Sequence, residues 1–306
     1  MRLSIIIPAY KGDDSLAHLY EKILDFFSNH QEYSYEVIFV FDSGNETTWQ
    51  VIKEIKSKYP KHVKGIRLSR NFGQHNALIC GIKHANSDFL ITMDEDLQHD
   101  PSDIIKLINK QKEGNYDLVY ANLVRLKHSF YRNLTSRILK GLIRLSIPGL
   151  PSEYSAYRLI KTNLAKETLS MNNSYTFLDG YLSWITLYSS SIDIQHYKRP
   201  IGKSSYSLRK LINHALNIFF TFSNAPIRLL TYISVIIFTF STIYAIYLII
   251  RKLIYDDLIS GYASTMIILG FGIGIIVFGM GIIGEYLYRI NLKTTKRPNY
   301  IETEII

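Results

Sequence analysis

Short apolar runs rich in β-branched residues recur along the first part of the chain, each followed by a turn signal and then by apolar residues at helical spacing. Leu3 to Ile7 is the first such run; Pro8 ends it, and Leu16, Leu19, Ile23 and Phe26 follow at three- and four-residue intervals. That pattern predicts strand, loop, helix. Tyr35 to Phe41 repeats the strand signature, and the loop Asp42-Ser43-Gly44-Asn45 leads into a helical stretch from Trp49 to Lys58. Further strands are predicted near Val63 to Leu68, at Phe89 to Met93 and at Tyr116 to Ala121, with a helix from Asn76 to His84. Strands alternating with helices at this spacing predict an α/β domain with a mostly parallel sheet covered on both faces. Ligands of such sheets bind beyond the carboxyl ends of the strands. Asp42 and the cluster Asp94-Glu95-Asp96 both fall there.

A different pattern follows. Between Ser129 and Ile147, Phe130, Leu134, Ile138, Leu142 and Leu145 alternate with Arg132, Arg137, Lys140 and Arg144. This predicts a basic amphipathic helix suited to an anionic membrane surface. A second basic stretch runs from Lys198 to Lys210. Beyond it the chain becomes apolar: Leu229 to Ile250 and Ala263 to Gly284 are uncharged runs of about 22 residues. Each is long enough to cross a hydrocarbon core of about 30 Å. Gly270 with Gly274 fits a small-xxx-small helix contact. The expected domains are therefore an α/β domain over 1–204, amphipathic juxtamembrane helices over 205–227, a two-helix hairpin over 228–285 and a tail over 286–306.

Charge sets the orientation. The connector between the two spans carries Arg251, Lys252, Asp256 and Asp257, whereas the tail carries Arg289, Lys293, Lys296 and Arg297. Positive-inside bias puts the tail in the cytoplasm, and two spans return the N-terminal domain to the same side. The first apolar run is too short for a signal peptide. Across all 306 residues the formal net charge is +9, which favours acidic partners without choosing among them. No nucleic-acid motif accompanies that charge. Cys80 is the single cysteine; it reads as a small core residue, and with no intrachain partner it fits a reducing compartment.

Asp94 and Asp96, at i and i+2 beyond a buried strand, point to one face of an extended segment and can share a hard divalent cation, Mg²⁺ or Mn²⁺, bridging a diphosphate. His75, His84 and His99 lie nearby in sequence, but without paired cysteines their spacing matches no closed zinc site. They read as satisfied polar residues. Arg132, Arg199 and Lys203, in the two basic stretches, are candidates for holding a phosphate at headgroup depth.

The segments IIIPAY, LSRNFGQHNALICGIKHANSD and MDEDLQHDP resemble family 2 glycosyltransferases of the GT-A fold. The later RPIGKSSYS and the closing GMGIIGEYLYRI with RPNY resemble the membrane-anchored branch of that family, which glycosylates polyprenyl phosphates. The resemblance covers nearly the whole chain. It implies inverting transfer of a sugar from a nucleotide diphosphate, UDP favoured, to undecaprenyl phosphate at the bacterial inner membrane, for cell-envelope glycan modification, by a homo-oligomer, a tetramer in that branch. It further implies that Asp94, Asp96 and Gln98 hold the metal and that Pro8, Tyr10 and Asp42 line the nucleoside pocket. Arg158, Arg199 and Ser204 would sit around the phosphates.

Several positions depart from the family pattern. Tyr10-Lys11-Gly12 stands where Tyr-Asn-Glu is frequent, Phe41 and Asp100 replace an acidic residue and a proline, and Ser205 stands where lysine is frequent. Ala156 replaces an aspartate, and Asp179 stands where arginine is frequent. A phosphate acceptor is already anionic near neutral pH, so the loss of a general base at Ala156 is compatible with transfer to phosphate. The alternatives are a processive polysaccharide synthase, which would need a longer transmembrane path and a Gln-x-x-Arg-Trp segment, and a non-enzymatic membrane adaptor.

Overall fold

A computed structural model describes residues 1–124, 141, 143, 144, 146–171, 173–195, 208–255, 261–294 and 298–306. The expected strands form. β1 (Arg2–Ala9) is buried at all but its first position because β2 (Ser34–Phe41) and β4 (Phe89–Thr92) flank it, both parallel. Ile5 sits opposite Val37 on one side and Ile91 on the other. Side chains of β1 alternate between the two faces of the sheet. Leu3, Ile5, Ile7 and Ala9 enter one core and Ile6 the other.

Helices α1 (Asp13–Asn29), α2 (Glu46–Lys58) and α4 (Ile104–Gly114) cover the first face through Leu16, Leu19, Ile23, Trp49, Ile52 and Leu107. The second face is covered by α3 (Gln74–His84), α5 (Thr162–Glu167), α6 (Leu178–Ile185) and α7 (Leu208–Phe222). Helix α7 occupies the expected juxtamembrane segment, and its Ala215, Ile218 and Phe222 are buried in the core on the second face of the sheet.

The eight-stranded sheet runs β7-β5-β6-β4-β1-β2-β3-β8. Here β3 is Val63–Leu68, β5 Leu118–Val124, β6 Arg158–Lys161, β7 Ser189–Gln195 and β8 Glu302–Ile305. β6 runs antiparallel between β4 and β5. The last strand falls within 286–306, the expected tail: β8 pairs antiparallel with β3, Ile66 opposite Ile305, and extends the sheet. Its alternating polar residues suit an exposed edge, which is why no apolar run marks it.

Two long helices, α8 (Ala225–Tyr255) and α9 (Tyr262–Thr294), contain the two uncharged runs. Their apolar side chains face outward: Ile236 is 67% exposed, Phe240 71% and Val277 62%. Among the described residues one helical stretch, Gly272–Leu292, is by itself long and apolar enough to cross a membrane. Leu211–Phe222 and Ala225–Ile237 reach that standard only together, across a 77° bend. Of the expected pair of independent spans, one helix meets the length and apolarity that a crossing requires. The far end of α9 is docked on α7 and the residue after it: Tyr286 donates to the Ser223 carbonyl (2.8 Å), and Arg289, paired with Glu285 one turn earlier on α9, reaches Thr221 (2.8 Å) and Asn217.

The expected basic helix falls mostly outside the described residues, as do Arg132, Arg199, Lys203 and Ser204.

Candidate functional site

Because β1, β2 and β4 are parallel, the loops after Ala9, Phe41 and Thr92 emerge at one edge. They are laced together there by backbone groups. The Asp42 N–H donates to the Ala9 carbonyl (2.8 Å) and the Asn45 N–H to the Tyr10 carbonyl (3.1 Å). Gly44 packs so closely on this strand end that a Cβ would overlap the Tyr10 carbonyl oxygen. Pro8 lies in β1, opposite Val40, and Tyr10 is exposed just past the strand end.

The acidic triplet divides its work. The Glu95 carboxylate turns back to β1 and accepts from the Tyr10 N–H (3.0 Å) and the Lys11 N–H (3.1 Å). Burial raises the Glu95 carboxyl, the two backbone donors oppose that, and Asp94 and Asp96 push it up further. Three carboxylates thus stand close enough to repel one another. Asp94 accepts from Gln74 Nε2 (2.5 Å), and Asp96 accepts from the Gln98 N–H (3.1 Å). Leu97, between them, has φ 61, a left-handed conformation that a branched side chain rarely adopts. Such outliers are held in place where a loop must re-aim its side chains. The donor set of Asp94, Asp96 and Gln98 is all oxygen and carries the charge a hard divalent cation needs, so these residues fit Mg²⁺ or Mn²⁺.

His99 lies under the loop. Its Nδ1 accepts from the Asp94 N–H (3.2 Å), and its ring stacks on Tyr157 at 5.0 Å. Burial lowers its pKa and keeps the imidazole neutral, as an acceptor must be. The expectation of satisfied histidines holds for His99, and for His75, whose Nδ1 accepts from the Leu178 N–H (3.4 Å).

Two expected site residues sit deeper than the sequence implied. Asp42 is 4% exposed, and its oxygens accept from the Phe72 N–H (2.6 Å) and the Gly73 N–H (2.8 Å). It braces the loop that starts α3, where Gly73 adopts φ 90. Arg158 is 1% exposed and is committed to Asp179 and, through Nε, to the Thr92 hydroxyl (3.0 Å). Thr92 in turn donates to the Ala156 carbonyl (2.6 Å). The guanidinium sits behind the acidic loop because the buried Asp179 carboxylate requires a counter-charge there. The two departures noted at 156 and 179 thus belong to one buried network with Arg158.

Sequence reasoning missed Gln74 and the cavity that it borders. A cavity of ≈ 590 Å³ opens beside α3, lined among others by Arg70, Gln74, His75, Asn213, Leu292 and Pro298. Its lining therefore includes both the helix start that touches Asp94 and the end of α9. Gln74 lay in plain view in the segment LSRNFGQHNALIC, but its contact with Asp94 depends on the fold.

Residues 4–169 match the family model described as glycosyl transferase family 2, and residues 225–290 match the one described as GtrB C-terminal hairpin. An undecaprenyl-phosphate 4-deoxy-4-formamido-L-arabinose transferase of Shewanella sediminis (strain HAW-EB3) is 30% identical over 99% of this chain and 92% of its own. A prophage bactoprenol glucosyl transferase homolog of Escherichia coli (strain K12) is 28% identical over 98% of each chain. Among solved structures, the mannosyltransferase PcManGT from Pyrobaculum calidifontis in complex with GDP-Man and Mn²⁺ shares the fold. Its TM-score is 0.52 at 14% identity, over 72% of this chain and 63% of that one.

Proposed function

The chain belongs to glycosyl transferase family 2, and from that premise we propose that it moves a sugar from a nucleotide diphosphate to a polyprenyl phosphate held in a membrane. The observation that carries this reading is Gln74. It touches Asp94 of the acidic loop and also lines the cavity that Pro298 and Leu292, the latter at the end of the membrane-length helix, help to line. A phosphate on a membrane-anchored tail can approach through that cavity while the donor sits against the strand ends. The whole-length relatives named for undecaprenyl phosphate and bactoprenol support the same acceptor. The outward apolar faces of α8 and α9 support two crossings, with the catalytic domain and tail on the cytoplasmic side of a bacterial inner membrane.

In this reading Asp94 and Asp96, with Gln98, hold Mg²⁺ or Mn²⁺, which would neutralise the diphosphate as it leaves. Pro8 and Tyr10 border the nucleoside, and Asp42 shapes that pocket by fixing Phe72 and Gly73. Arg158 positions the loop from behind through Thr92. The acceptor oxygen is an anion near neutral pH and attacks the anomeric carbon opposite the departing diphosphate, so inversion follows without a base at Ala156. Arg70 on the cavity wall joins Arg132, Arg199, Lys203 and Ser204 as groups for the acceptor phosphate. UDP-sugars are the favoured donors, and the assembly is a homo-oligomer, a tetramer.

The test is nucleotide release by the full chain in detergent. Release of UDP that needs both a divalent cation and undecaprenyl phosphate is expected. Equal release with a soluble sugar acceptor and no lipid phosphate would overturn the acceptor assignment.

A further inference from the structure

The C-terminal strand brings a carboxylate to a helix face that already carries a thiol and an imidazole. Cys80 and His84 are four residues apart on α3, so they share one face. β8 adds Glu302, and the three ligand atoms lie within 4.8 Å of one another. Glu302 Oε1 is 3.6 Å from Cys80 Sγ, 3.0 Å from His84 Nε2 and 3.0 Å from Lys83 Nζ. Zinc bonds of about 2.3 Å to sulfur and about 2.0 Å to nitrogen and oxygen, at tetrahedral angles, put sulfur and oxygen about 3.5 Å apart and nitrogen and oxygen about 3.3 Å apart. The two separations from Glu302, 3.6 Å to sulfur and 3.0 Å to nitrogen, are within about 0.3 Å of those values, and Cys80 and His84 lie within 4.8 Å of each other.

We propose that Cys80, His84 and Glu302 bind a zinc-class transition metal ion that fastens the C-terminal strand to α3. On binding, the Cys80 thiol releases its proton to solvent and its sulfur takes the metal. His84 coordinates through Nε2, Glu302 through Oε1, and water fills the fourth position. Lys83, whose side chain is about half exposed, turns from Glu302 to solvent. Thiolate and imidazole select zinc or cobalt over magnesium, so this site is chemically distinct from the all-oxygen set at Asp94 and Asp96. Its place in the fold gives it a role. β8 follows α9 in the chain and closes the β3 edge, while the first residue of α3, Gln74, contacts Asp94. A metal at the far end of α3 ties the chain returning from the membrane helix to the element that borders the active loop. The signal was present in the sequence as Cys80 and His84 at i and i+4; the third ligand, more than 200 residues away, was not legible.

Because Cys80 is the only cysteine, a thiolate-to-cobalt charge-transfer band reports this site alone. The full-length protein in detergent, stripped with chelator and kept reduced, is titrated with Co²⁺. The expected band saturates at one equivalent and is displaced by Zn²⁺. Cys80→Ser abolishes it, Glu302→Gln weakens Zn²⁺ binding more than about 100-fold, beyond the loss typical of outer-shell changes, and Asp96→Asn leaves it intact. Absence of the band in the wild-type protein, or Zn²⁺ affinity unchanged in Glu302→Gln, would leave only a hydrogen-bonded cluster and overturn the proposal. The wild-type titration decides the matter even if Cys80→Ser fails to fold.

Discussion

The strand-end edge of the sheet and the outer flank of α9 use apolar residues in opposite ways. At the edge, Ala9, Phe41, Met93 and Leu97 are buried, and the surface is made of a few polar groups bonded to one another. Along α9, Ile273, Ile276, Val277 and Met280 are themselves the surface. Water is the solvent that the first arrangement satisfies, and hydrocarbon the one that suits the second. The difference predicts how each region responds to substitution. Single atoms matter at the edge, whereas only the average polarity matters on the flank.

The largest effect is expected at the acidic loop. Asp96→Asn should lower turnover by about 10²- to 10³-fold or more, the scale of losing one preorganised charge contact at a reacting centre. Initial rates with saturating Mn²⁺ check it, and near-normal activity would remove the metal role from that loop. Behind the loop, Asp179→Asn leaves the Arg158 charge buried without its partner and should cost about 3–5 kcal/mol of stability. Thermal melting reads that loss. The pair Arg158→Met with Asp179→Leu should recover most of it, which separates a structural charge pair from a phosphate contact.

On the flank, Val277→Leu should be silent, while Val277→Lys should disfavour membrane insertion by about 2.5–3.5 kcal/mol if the site lies near the bilayer centre. Fractionation of membranes measures it. Equal membrane recovery of both variants would erase the contrast between the two regions.

The smallest effect concerns His75, on the cavity wall. Burial, with Arg158 and His214 adding to it, pushes its pKa down to about 3 from an ordinary 6.5. The unfolded chain therefore takes up a proton that the folded chain refuses, and stability falls as pH drops below about 6.5. One proton limits the slope to about 1.4 kcal/mol per pH unit, and the partial exposure of His75 reduces it. His75→Gln should flatten that part of the pH profile in chemical denaturation.

Of the first five strands, β1 and β4 were legible as nearly continuous apolar runs, and β3, VKGIRL, by its buried Val63, Ile66 and Leu68 despite Lys64 and Arg67 between them. The strands after β5 were not. β6 is only four residues long, β7 is the edge segment SSSIDIQ with its apolar residues diluted by serine, and β8 is the polar ETEI. The acidic loop's place in the fold was readable because β4, the apolar run before it, ends at Thr92. The roles of Asp42 and Arg158 depend on partners far along the chain. Phe72 and Gly73 bind Asp42, and the pairing of Thr92 with Arg158 across β4 and β6 brings in Asp179. No local pattern encodes those contacts.

The central claim is that the acceptor is a lipid phosphate, and product analysis tests it most directly. The full chain in vesicles is supplied with a panel of radiolabelled nucleotide sugars, undecaprenyl phosphate and Mn²⁺. The label should pass into the organic phase as a mild-acid-labile lipid monophosphate carrying one sugar, with none formed by Asp96→Asn. Label recovered only in soluble glycan or protein, with the lipid phosphate unmodified, would contradict the account.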